Sequence, residues 1–268
     1  MDKSLPSLSA QSLYAQLGTA TWPLLIDVRR HARYAADDVL IAGALRRDPE
    51  TIDAWMREVP PNRPVVVYCV HGHEVSQNAA AALRAAGRNA AYLEGGIAEW
   101  RERGLPARRR SAPNTGKWIA RARPKIDRIA CPWLVRRFVD PLAAFLYVPA
   151  ETVFDVAAKT DAIAYDIPGA EPFSHDGDLC SFDAFTSAFG LNDAALGRLA
   201  TIVRGADTGR LDLAPQASGL LAISLGLSAV HAEDDHAMLE AAMPVYDALY
   251  AWCRSLQHET HNWKPAPT

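Results

Sequence analysis

Val65–Tyr68 is the stretch that most restricts what this chain can become. It is continuously apolar, three of its four residues are β-branched, and it follows Pro64. Such a run predicts a strand buried on both faces. The loop Cys69-Val70-His71-Gly72-His73-Glu74-Val75 comes next, and an alanine-rich helical pattern starts at about Ser76 and is closed by Gly87. Cys69 is therefore expected at the C-terminal end of a strand, beneath loop amides and a helix N-terminus. Those groups favour negative charge, so the geometry suits a thiolate or a sulfur anion carried on it. A lone strand-end cysteine is ordinarily an inert core residue, and the company Cys69 keeps decides between the two.

Leu25-Ile26-Asp27-Val28-Arg29, Ile41-Ala42-Gly43-Ala44, the Cys69 loop and Gly95-Gly96-Ile97-Ala98-Glu99-Trp100 occur in that order. Strands at Leu24–Val28, Val65–Tyr68 and Ala90–Leu93 alternate with helices at Leu8–Leu17, Ile52–Val59 and Ile97–Arg103. That alternation predicts a parallel α/β layer. Together the four motifs resemble the rhodanese family of persulfide-forming sulfurtransferases over residues 8–105. The resemblance implies Cys69 as nucleophile, cradled by Val70, His71, Gly72, His73, Glu74 and Val75. It also implies a small sulfur donor or protein persulfide, a thiol acceptor, and no cofactor for sulfur transfer. By family analogy Arg29 and Arg46 are candidate anion contacts; Asp27 reads as either a turn cap or a site residue. The loop departs from the family, which often places cations where Val70 and Glu74 stand. A carboxylate a few ångströms from a dianionic donor costs about 1 kcal/mol in a water-like medium and roughly 4 at protein-surface dielectric. Thiosulfate is thus expected to be a poor donor unless His71 and His73 offset Glu74. Val75 occupies the place where phosphatase-like relatives need arginine, which argues against phosphatase activity.

A chain of 268 residues, 49% hydrophobic and 22% charged, has room for two modest globular domains. The net charge of −3 predicts no general affinity for nucleic acid or membrane. Residues 101–128, however, hold ten arginines or lysines against Glu102 and Asp127. Cysteines at 69, 131, 180 and 253 are too scattered for a disulfide framework. No run approaches a membrane span and the start lacks a signal-peptide core, so the expected location is cytoplasmic. The expected organisation is a first domain over 1–105, a basic linker over 106–116, a second domain over 117–256 and a tail over 257–268.

The second half is expected to be mainly helical, with short strands near Trp118–Ala120, Ala144–Val148 and Ala162–Tyr165. Helices are expected at Pro132–Val139, Ser181–Phe189, Asp193–Arg204, Ala214–Val230 and Glu233–Arg254. The uncharged Ala214–Val230 reads as a central core helix. Pro132 at a first helical turn would leave Cys131 at a helix N-terminus. His175, Cys180, His231 and Asp235 are the candidate metal ligands, Asp235 following His231 at one-turn helical spacing. Asp207 is a further loop carboxylate. Ordinary alternatives exist for each, as helix cap, core thiol or surface charge. Lys117-Trp118-Ile119 through Arg123-Pro124-Lys125-Ile126-Asp127-Arg128-Ile129-Ala130-Cys131-Pro132-Trp133, the His175–Asp183 stretch and Tyr246–Cys253 resemble the C-terminal domain of ChrB-type chromate-resistance proteins, over residues 115–256.

The fold class expected from both resemblances is an α/β rhodanese-like parallel-sheet domain followed by a mainly helical α+β domain. The function expected is sulfur transfer through Cys69, joined to a chromate-resistance domain that takes a transition metal, chromate or another oxyanion. The competing expectation is a non-catalytic sensor whose Cys69 loop only docks an anion. DNA binding is disfavoured, because family regulators carry a different N-terminal region.

Overall fold

The computed structural model describes residues 5–259. The start before Leu5 and residues 260–268 of the tail, read above from sequence alone, lie outside the described residues. In the first half, β1 (Ser7–Leu8) leads into α1 (Ala10–Tyr14), which Ser9 caps by accepting the Ser12 amide. There follow β2 (Leu24–Asp27), α2 (His31–Ala35), β3 (Val39–Ile41), β4 (Ala44–Arg46) and α3 (Ile52–Trp55). Next come β5 (Val65–Tyr68), α4 (Glu74–Ala85), β6 (Ala90–Leu93) and α5 (Gly96–Glu102). Five strands form one parallel sheet in the order β1-β6-β5-β2-β4. β5 is central and all four of its residues are buried, as its unbroken apolar run demands. Asp27 at the end of β2 pairs in register with Tyr68 at the end of β5. Asp27 and Cys69 thus share the carboxyl edge of the sheet, where open α/β sheets place their sites.

The stretch expected to be a linker is built into the fold. β7 (Ala107–Arg109) pairs antiparallel with β3, giving that strand a partner it lacks in the main sheet. Arg108 is buried, its Nη2 donating to the Ala44 carbonyl. Arg110 donates to the Asp37 carbonyl, and Ser111 binds Asp38 through amide and hydroxyl. Arg108 and Arg110 are held by backbone carbonyls, while Arg109 between them is exposed.

The second half centres on β8 (Lys117–Arg121), which is followed by α6 (Ile126–Leu134), β9 (Ala144–Val148), α7 (Val153–Thr160) and β10 (Ile163–Ala164). The three strands make a parallel sheet in the order β10-β8-β9. Helices α8 (Ser181–Phe189), α9 (Ala194–Asp207), α10 (Gln216–Val230) and α11 (Asp235–Ala251) complete the chain. No helix among the described residues is long and apolar enough to cross a membrane.

Three expectations are corrected here. Pro132 lies inside α6, so Cys131 sits mid-helix and fully buried instead of at a helix N-terminus. A proline frees the carbonyl four residues earlier, and that carbonyl, of Arg128, accepts the hydroxyls of Tyr147 and Tyr165. The uncharged α10 lies at the surface, leaving Ile223, Leu225 and Val230 exposed. The centre is filled by larger residues, notably Trp118, Trp133, Phe182, Phe185 and Tyr246. Finally, the two halves share a core besides holding smaller ones of their own, around Ile26 and Val67 in the first and Ile119 and Val153 in the second. One buried cluster runs from Leu13, Leu17 and Trp22 to Trp133, Phe138 and Tyr250. The Gly43 amide donates to the Phe138 carbonyl across this boundary, and Arg254 Nη1 donates to the Leu17 carbonyl at 3.0 Å.

Candidate functional site

The loop after β5 wraps Cys69 in donors. The amides of His71, His73 and Ser76 point at its sulfur, and Ser76 Oγ lies 3.2 Å from Sγ. Burial pushes the thiol up, but the Ser76 hydroxyl and those three amides outweigh it and hold Cys69 below the ordinary thiol range. The residue is 6% exposed. Gly72 makes the tight turn at φ +72°, where a Cβ would lie 2.5 Å from the Leu93 carbonyl. The paired glycines at the start of α5 have their own reason. A Cβ on Gly96 would lie 2.5 Å from the Cys69 carbonyl oxygen, and the amides of Ile97 and Ala98 bind the Cys69 and Val70 carbonyls. The N-terminus of α5 thus pins the backbone of the loop while the loop's own amides turn toward the sulfur.

Outside the sulfur, the surroundings are mixed in charge. His71 and His73 are exposed, with ring centroids 5.9 Å apart, and line an open cleft of about 670 Å³ with Glu99, Glu102 and Arg103. Glu74 is exposed at the first position of α4 and lines a second hollow with Val75 and Arg30. Arg30 was not singled out from sequence; as the residue after Arg29 it carries no motif of its own.

Arg29 is not free to serve as an anion contact. Arg29 is 2% exposed and its guanidinium is consumed by Asp27, Asp37 and the Val39 carbonyl. Asp27, fully buried, also accepts the Tyr68 hydroxyl. Together they brace the sheet edge beneath the site. Arg46 donates to the Asp27 carbonyl and stacks over Tyr34 at 4.7 Å.

In the second half, His175 is drawn into a cluster of carboxylates. Its Nε2 lies 3.2 Å from Asp207, 3.4 Å from Asp166 and 3.6 Å from Asp127. Asp127 comes from the first turn of α6, and its Oδ2 accepts the Ser181 and Phe182 amides at the start of α8. Asp207 ends α9 and accepts the Asp127 amide. Asp166 follows β10; its Oδ2 meets Arg121 and Arg128, and its Oδ1 accepts the Ser181 hydroxyl. The electrostatics differ accordingly. Burial and neighbouring carboxylates push Asp127 well up, and burial followed by Asp166 raises Asp207. Asp166 falls below the usual range despite its burial, because His175, Ser181 and the two arginines stabilise its charge. The hydrogen bond to Asp166 raises His175 to about 9 against the desolvation of its ring.

The other expected metal ligands are placed differently. Cys180 is fully buried at the N-cap of α8, beside Asp127, with its thiol pushed far up by burial. It holds a capping box with Asp183, which accepts the Cys180 amide. His231 and Asp235 do not share a helical face, because α10 ends at Val230 and α11 begins at Asp235 after the Asp234 cap. Asp235 accepts the Arg123 amide instead. Of the cluster's acids, Asp166 gave no signal in sequence, and Asp127 stood only inside a longer motif. They converge through tertiary packing of four separate elements, which local spacing does not encode.

Residues 118–253 match the family described as ChrB, C-terminal domain, and residues 9–103 match the rhodanese-like domain. Protein ChrB of Cupriavidus metallidurans is 38% identical over 136 residues, which are 50% of this chain and 40% of that protein. A sulfurtransferase of Allochromatium vinosum is 32% identical over 99 residues, 37% of this chain and 91% of that protein. The crystal structure of a rhodanese-related protein from Thermoplasma volcanium is similar at 25% identity and a TM-score of 0.34, covering 38% of this chain and 96% of that one.

Proposed function

The chain belongs to the ChrB C-terminal domain family and carries a rhodanese-like domain ahead of that region, and on that premise we propose that it is a sulfurtransferase working through a persulfide on Cys69. The observation that carries this reading is the donor set around Sγ: three amides and one hydroxyl directed at one sulfur. Cys69 thiolate attacks the outer, sulfane sulfur of a donor R–S–S⁻. The new S–S bond forms as the old one breaks, and R–S⁻ leaves with the electron pair. An acceptor thiolate then takes the terminal sulfur and returns Cys69 as thiolate. The loop amides stabilise the negative sulfur in both states. No metal or organic cofactor takes part in either step.

Glu74, exposed on the hollow beside the loop, repels doubly charged donors. Monoanionic persulfides, on small molecules or proteins, are therefore the preferred donors over thiosulfate. A reducing compartment such as the cytoplasm suits this chemistry, since all four cysteines are unpaired and Cys69 must return to thiolate. The kinship of the second half with ChrB supports a role for the transfer in chromate resistance, in which the persulfide acts as a reducing sulfur nucleophile. Mass spectrometry after exposure to persulfide donors tests the proposal. An added sulfur atom on Cys69, with turnover abolished in Cys69→Ser, is the expected result. Failure of every donor to load Cys69 refutes it. The slight exposure of Cys69 and the position of Glu74 favour the second reading, a sensor whose loop docks an anion without turnover. Equal chromate responses in wild type and Cys69→Ser would select it.

A further inference from the structure

The cluster around His175 is incomplete in charge and in bonding. Asp166 is fully partnered, by Arg121 and Arg128 on one oxygen and by Ser181 on the other. Asp127 and Asp207 are not: among the described residues neither has an arginine or lysine within ion-pair distance, and both face the same imidazole nitrogen. Asp127 is buried, its Oδ1 meets no nitrogen or oxygen donor, and the Cys180 thiol is the one further side chain beside the carboxylate. A buried, unpartnered carboxylate oxygen is costly unless something outside the chain meets it.

The geometry says what that something is. One donor atom from each of Asp127, His175 and Asp207 can be chosen so that all lie within 4.8 Å of one another. Ligands about 2.0–2.2 Å from a common ion stand roughly 3.0–3.6 Å apart. The separations from Nε2 to Asp207 and Asp127, 3.2 and 3.6 Å, fall in that range. The donors are one imidazole and two carboxylates, without a thiolate. Nitrogen with hard oxygen suits divalent manganese, iron, cobalt or zinc, and disfavours cuprous ion.

We propose that Asp127, His175 and Asp207 bind a divalent first-row transition-metal ion, which replaces the proton that His175 Nε2 otherwise shares with Asp166. His175 is 42% exposed and borders a cavity of about 450 Å³ lined also by Arg109, Ser174, Asp176 and Asp183. An ion held there keeps coordination positions open toward that cavity. The alternative is a self-contained network, in which a proton on His175 balances the acids.

The test uses the full chain, freed of metal by chelation and dialysis. Mn²⁺ is titrated while the spectrum of the free ion is followed by electron paramagnetic resonance, and Zn²⁺ is titrated by calorimetry. One ion per chain is expected. Asp207→Asn and His175→Ala, both at partly exposed positions that leave the core intact, should each weaken binding on the order of tenfold or more. Cys69→Ser should bind as wild type does, so the outcome is independent of the sulfur-transfer reading. Absence of stoichiometric Mn²⁺ and Zn²⁺ binding overturns the proposal, as does binding unchanged in both cluster variants.

Discussion

Ser76→Ala isolates the side-chain contribution to the Cys69 site. The hydroxyl is 3.2 Å from Sγ and 3.1 Å from the His73 carbonyl, so its single proton can serve either. When Cys69 is a thiol, the S–H donates to Ser76 and the hydroxyl donates to His73. On ionisation the hydroxyl turns to the sulfur. A hydrogen bond to a charged group is worth about 1.5–3 kcal/mol, and about 1.4 kcal/mol corresponds to one pKa unit. Three amides remain in the variant and absorb part of the loss, so the expected rise in the Cys69 pKa is about one unit. The assay is the pH dependence of iodoacetamide alkylation, read at Cys69 by peptide mass spectrometry. Wild type should show a midpoint below that of an ordinary thiol, and Ser76→Ala a midpoint shifted upward with an unchanged plateau rate. A variant midpoint equal to wild type would mean that the amides alone set the thiolate, and the role given to Ser76 would be wrong. A lower plateau with the same midpoint would point to a collapsed loop instead.

Gly72→Ala should destabilise the protein by roughly 2 kcal/mol or more in urea unfolding and abolish sulfur loading, because the left-handed turn and the Leu93 carbonyl both exclude a Cβ. Arg29→Met should cost about 3–5 kcal/mol by the same measurement, since it strands the buried Asp27 charge; a loss under about 1 kcal/mol would refute that account. In metal-free protein, His175 should titrate near pH 9 in proton NMR. A raised histidine stabilises the fold fully below its unfolded value of 6.5, and that stabilisation is lost as pH rises through about 9. His175→Ala should therefore flatten the fall in thermal midpoint over that window.

Those predictions also mark what local sequence encodes and what it does not. β5 and β6 stand where their apolar runs place them, and Gly72 and Gly95-Gly96 sit at turns that need them. Cys69 was legible for the same reason: strand, loop and helix are neighbours in sequence, so chain order fixes their geometry. Arg29 illustrates the opposite case. Nothing in its flanks tells a free cation from one locked between Asp27 and Asp37, because Asp37 arrives from beyond the next helix. The expectation for His231 and Asp235 failed on a local point, as helical spacing means nothing across the break between α10 and α11. α10 differs from expectation because lack of charge does not decide which helix face finds a partner: Leu220 is buried, whereas Ile223, Leu225 and Val230 face solvent.

The shared core changes how the two halves can be interrogated. Leu17, Trp22 and Tyr14 of the first half pack with Trp133, Phe138 and Tyr250 of the second in one cluster. Gly18 lies against the Tyr250 ring, and Arg254 reaches back over Tyr14 at 4.3 Å. A chain cut between residues 105 and 117 would expose these aromatics and remove β7 from β3 or β3 from β7. Lost sulfur transfer or lost metal binding in such a fragment would report a broken core, not a missing catalytic or ligating group. Point substitutions at Cys69, Ser76, His175 and Asp207 avoid that confusion, because each alters local polar contacts and lies outside the aromatic cluster. Sulfur loading that survives His175→Ala, and metal binding that survives Cys69→Ser, would show two chemistries carried by one folded unit.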